Sequence, residues 1–193
     1  MKFTTLSLST TVDQMFNGSI GLFRAAPDNQ KPTIALQVTS RIEDEIKREG
    51  KIYLTEESAY KTYITKCLKE AQEMYLKASK DMKELQGLKH KTKNADKIKA
   101  LHKRIDQANM FVGAVLGNSN RAGNDLTAHQ GWRGEIFSQT PVGEEMIGKA
   151  GLKDLDAQFK KIREQGVAII SSLSAPKLKI EEIHKRTEAL SKA

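Results

Sequence analysis

The chain has 193 residues, of which 38% are apolar and 29% charged, and a formal net charge of +8. That length suits one domain, and the apolar content supports a modest core and argues against wholesale disorder. Cys67 is the only cysteine, which excludes a disulfide framework, and no apolar run approaches the ~18 residues of a membrane-spanning helix.

Residues 1–12 carry one lysine, and Thr and Ser interrupt Phe3, Leu6 and Leu8. A secretory signal needs a continuous apolar segment, so none is expected here, and a reducing, cytoplasmic setting is the default. Residues 1–32 form an N-terminal segment with two readings. Leu6 and Leu8 alternate with serines, and Asn17-Gly18 can close a β-hairpin. The same stretch places Val12, Phe16, Ser19 and Phe23 at helical spacing behind a Thr10-x-x-Asp13 capping box. The helix is favoured. Residues 27–32, with a proline at each end, form a loop.

Ile34, Val38, Ile42 and Ile46 recur every four residues, which predicts a helix stopped at Gly50. Thr55-Glu56-Glu57 predicts a new start, a hydroxyl cap followed by acids near the positive end of the helix dipole. Tyr60, Ile64, Cys67, Ala71, Met74, Ala78, Met82 and Leu85 then follow at steps of three and four. A second seam runs through Ile98, Leu101, Ile105, Ala108, Val112 and Val115. The polar stretch 87–94 joins them, so residues 55–116 predict an antiparallel helical hairpin.

Residues 117–140 are rich in glycine and asparagine and read as a loop. Residues 141–193 predict further helices, opened by Pro141, interrupted at Gly151, resumed on the stripe Leu152, Leu155, Phe159 and Ile162, and closed by a terminal helix over 174–192. Val167–Ile170 either extends a helix or forms a short buried strand within 167–173. The expectation is therefore a single all-α domain, a helical bundle built on a long hairpin.

Charge is the clearest anomaly. Between Lys77 and Arg104 there are ten Lys/Arg against Asp81, Glu84 and Asp96, which leaves the rest of the chain nearly neutral. Lys89, His90, Lys91, Lys93, Lys97 and Lys99 fall at the hairpin tip and are the candidate partner-binding residues. The partner classes are an acidic protein, an anionic membrane surface or nucleic acid. The last is disfavoured, because lysine outnumbers arginine nine to one in this window and no aromatic residue is present to stack on bases.

Weaker candidates lie in His129-Gln-Gly-Trp-Arg133-Gly-Glu135, where an imidazole, a guanidinium and a carboxylate follow one another. His129, Arg133 and Glu135 are the residues an enzyme reading would use for acid–base work. Cys67 lies on the apolar seam, which favours packing over nucleophilic catalysis. Gly113-x-x-x-Gly117 reads as close helix packing or a frayed helix end. No metal-ligand spacing and no phosphate loop occur, so no cofactor is expected.

Glu181-Glu182, Glu188 and Leu190, near the end of the chain, resemble the glutamate-rich C-terminal signal of type IVB (Dot/Icm) secretion effectors of intracellular bacteria. That resemblance implies delivery into a host cell and a host protein or membrane as partner. The leading expectation is a non-enzymatic binding protein.

Overall fold

The computed structural model describes residues 1–4, 6–127 and 140–193. The chain is all-α, and the described residues form five helices: α1 Leu8–Ala25, α2 Lys31–Gly87, α3 Ala95–Thr127, α4 Pro141–Ser171 and α5 Ser174–Lys192. None of the described residues lies in a strand. Two compact units appear, residues 1–58 with 125–169, and residues 59–124 with 170–193.

In the first unit α1, the first half of α2 and α4 enclose Leu8, Val12, Phe16, Val38, Ile42, Ile46, Tyr53, Leu155 and Phe159. The hairpin alternative for the N-terminal segment fails because Val12 and Phe16 lie on the buried stripe of α1. That helix starts two residues before Thr10, and Ser7 at its N-cap makes no side-chain capping bond. Ahead of it, the Thr4 backbone N–H donates to both carboxylate oxygens of Glu56, at 3.0 and 2.9 Å. Arg24 clamps α1 to α4 through a two-bond pair with Glu145, at 2.8 and 2.6 Å.

Two expected breaks in α2 are absent. The helix continues through Gly50 and Thr55 without interruption for 57 residues. The stripe Val38, Ile42, Ile46 runs on through Glu49, Tyr53, Glu57, Tyr60 and Ile64, all buried, so burial rather than local propensity carries the helix across. Glu56 accepts bonds from the N-terminal segment instead of opening a helix.

In α4 the break falls at Gly148, not at Gly151, with φ 68° and ψ 171°. Residues 167–171 continue α4, so the strand alternative for 167–173 is excluded. The expected loop over 117–140 begins later, since α3 extends to Thr127 with Ser119, Ala122 and Leu126 buried. Residues 128–139 lie outside the described residues.

The second unit is a three-helix arrangement of the second half of α2, α3 and α5. Both predicted seams are inside it: Tyr60, Ile64, Cys67, Ala71, Ala78 and Met82 from α2 meet Leu101, Ile105, Ala108, Val112 and Val115 from α3. Ile180 and Ile183 of α5 complete the core. A Cβ on Gly113 would lie 3.1 Å from His184 Nε2, so Gly113 does permit a close approach of α3 to α5, whereas Gly117 faces open space.

Candidate partner-binding site

The site begins where α5 ends. The Ser191 hydroxyl donates to Asp106 on α3, in the last turn of α5. From Asp106 back to Ala95, α3 rises about 16 Å further at 1.5 Å per residue, and its cross-helix ion pairs among the described residues go to α2. This part of the hairpin is a two-helix finger.

Two cross-helix ion pairs hold the finger together. Arg104 donates from Nε and Nη2 to the two carboxylate oxygens of Asp81, each at 2.9 Å. Nearer the tip, Lys97 Nζ lies 2.7 Å from Glu84. The Arg104 guanidinium, through hydrogen bonding first and charge second, holds the Asp81 carboxyl below its ordinary pKa against the opposing effect of burial. Lys97 does the same to Glu84. Both basic residues sit at the edge of the apolar seam, which is why they can reach across.

The turn is closed locally. Asn94 Nδ2 donates to the Lys89 carbonyl at 2.7 Å, and the Lys93 N–H donates to the His90 carbonyl at 3.1 Å. His90 takes a left-handed φ of 57°, which turns the chain after α2.

All six sequence-predicted tip residues are exposed: Lys89, His90, Lys91, Lys93, Lys97 and Lys99. They are not equivalent. Lys97 is committed to Glu84 and belongs to the frame of the finger. Lys89, Lys91, Lys93 and Lys99 make no ion pair among the described residues, and neither do Lys77, Lys80, Lys83 and Lys103. Helical spacing places Lys83 on the face of α2 turned away from its seam, and Lys99 and Lys103 on the corresponding face of α3, while Lys77 and Lys80 line the groove beside Asp81, Glu84 and Arg104. The lysines that make no ion pair among the described residues therefore cover the outer sides of the finger, the rim of this groove and the turn. Asp81 and Glu84 are consumed inside the finger.

The alternative candidates His129, Arg133 and Glu135 lie outside the described residues. Cys67 is buried, and burial pushes its thiol above its ordinary pKa, against a hydrogen bond with Tyr63 that lowers it. That is the setting of a packing residue, not of a thiolate nucleophile. No cluster of metal-ligating side chains occurs among the described residues, and no described helix is long and apolar enough to cross a membrane.

Sequence reading missed the buried carboxylates. Glu49 and Glu57 are 5% and 0% exposed on the inner stripe of α2. Arg48 lies 3.4 Å from Glu49 and also binds Glu45. The signal was the unbroken three-and-four spacing from Val38 to Ile64, which passes through both glutamates. On the C-terminal helix, Glu182 pairs with Arg186 and Glu188 with Lys192, each at 2.5 Å. No family model, curated protein or solved structure matches the chain.

Proposed function

We propose that the chain is a non-enzymatic binding protein that inserts its basic finger into an acidic, concave surface of a protein partner. One observation carries this reading: eight lysines over residues 77–103 make no ion pair among the described residues, while the acids Asp81 and Glu84 are used to brace the finger. Crowded like charges repel and contribute little to folding, so their use lies outside the fold. Their distribution favours a partner that embraces the finger. A flat bilayer met end-on reaches the turn lysines, but Lys77 lies about 15 Å back along α2 from Gly87, beyond the ~8–10 Å screening length of physiological salt. Nucleic acid is disfavoured by the lack of arginine forks and stacking aromatics in the window.

The resemblance of Glu181, Glu182, Glu188 and Leu190 to a type IVB translocation signal supports a host-cell protein as the partner. Replacing the three glutamates by alanine and following delivery of a fused reporter tests that step.

The binding reading is tested with immobilised poly-glutamate, anionic phosphatidylserine vesicles and duplex DNA presented separately. The wild-type chain is expected to hold poly-glutamate most tightly, with retention falling steeply as salt rises. The combined variant Lys89→Glu, Lys91→Glu, Lys93→Glu and Lys99→Glu is expected to lose it. Tighter retention on vesicles or DNA, or undiminished binding by the variant, overturns the reading.

A further inference from the structure

Thr92 stands in the turn at the far end of the finger, between Lys91 and Lys93 and three residues after Lys89. It is exposed, and its hydroxyl makes no hydrogen bond among the described residues. The backbone around it, residues 88–94, is outside both helices, so a modifying enzyme can reach it without unwinding either arm. The other hydroxyl of the basic window, Ser79, is half-buried within α2. A free hydroxyl in a turn, with lysines at the third and first positions before it and the first after it, is the pattern that an acidic substrate cleft reads.

We infer that Thr92 is a phosphorylation site for a basic-directed serine/threonine protein kinase, and that the phosphate releases the finger from its partner. The release rests on the binding reading above. The identity of the acceptor does not. In the transfer, Thr92 Oγ attacks the γ-phosphorus of a nucleoside triphosphate. The new P–Oγ bond forms as the bond to the β,γ-bridging oxygen breaks. The hydroxyl proton passes to the kinase's carboxylate base, and the nucleoside diphosphate leaves. The product carries about −1.5 to −2 at neutral pH. That charge sits among Lys89, Lys91 and Lys93, where it recruits the lysines inward and subtracts from the excess the partner senses.

The test uses the purified full chain, a purified basic-directed kinase and magnesium ATP. Fragmentation mass spectrometry is expected to map one phosphate to Thr92, absent from Thr92→Ala and reduced in the double variant Lys89→Gln with Lys93→Gln, whose circular dichroism matches wild type. Phosphate confined to other residues, or none, overturns the inference. Each exposed charge pair lost corresponds to about 1.4- to 5-fold in affinity, so two predict about 2- to 30-fold weaker retention on poly-glutamate. Stoichiometric Thr92 phosphate with unchanged retention overturns the release. An unmodified chain that fails to bind poly-glutamate overturns the docking reading instead, while the phosphate map still decides the acceptor.

Discussion

Gly166 on α4 lies directly against the ring of Tyr53 on α2: a Cβ at Gly166 would fall 2.2 Å from the Tyr53 Cε1 and hydroxyl oxygen. Both residues are buried. A glycine inside a helix costs roughly 0.5–1 kcal/mol relative to alanine, and here the cost is offset by the close approach that admits the tyrosine. Gly166→Ala is expected to lower stability by about 1–3 kcal/mol in urea unfolding, through overpacking. Adding Tyr53→Leu should make the alanine far less costly, so the double-mutant cycle gives a coupling energy well above zero. Simple additivity of the two changes would show that the ring does not meet Gly166.

Gly148 predicts a different kind of cost. A Cβ there meets nothing within 4 Å, but its φ of 68° lies in the left-handed half of backbone space and its ψ of 171° in a region nearly reserved for glycine. Gly148→Ala is expected to destabilise by about 1–3 kcal/mol despite the open space. Gly18→Ala in α1, with equal room and ordinary helical backbone, is expected to stabilise by about 0.4–1 kcal/mol. Thermal melts of the two variants moving in the same direction would show that the kink in α4 is absent.

Asp81 predicts an acid-sensitive finger. Its pKa in the folded chain lies below the ordinary aspartate value because Arg104 binds the charged form. The pair therefore contributes stability that is complete above the ordinary value and is lost as pH falls through the lower folded one. Asp81→Asn is expected to be less stable than wild type by about 0.5–1 kcal/mol at pH 7. That gap should close as the solution is acidified through the folded-state pKa. A gap that persists at pH 2 would contradict the assignment.

Charge reversal separates the frame of the finger from its binding surface. Lys89→Glu, Lys91→Glu, Lys93→Glu and Lys99→Glu are each expected to change stability by less than about 0.5 kcal/mol, because these side chains are exposed and make no ion pair among the described residues. Lys97→Glu should destabilise measurably more than any of them, since it sets a carboxylate against Glu84, which Lys97 Nζ now meets at 2.7 Å. Equal melting temperatures for Lys97→Glu and Lys99→Glu would refute the distinction.

The helical class, the hairpin with its turn at 87–94, the terminal helix over 174–192 and the local concentration of basic charge were all legible in the sequence. Each is a short-range property: three-and-four spacing, a polar interruption, a proline in the first turn of a helix, a count of lysines. What the sequence did not disclose depends on partners distant along the chain. Gly50 and Thr55 look like a stop and a start, but the helix passes through both, because Ile46, Glu49, Tyr53 and Glu57 occupy one stripe whose burial outweighs a local glycine. Gly151 looks like a break as much as Gly148 does, yet only Gly148 takes the left-handed angle. Lys97 looks like its neighbours in the basic run, and only the facing helix shows that Glu84 claims it. Local patterning set which residues prefer a helix. The tertiary packing decided where helices continue and which charges are left for a partner, because burial and cross-helix pairing are energies between residues that the sequence keeps far apart.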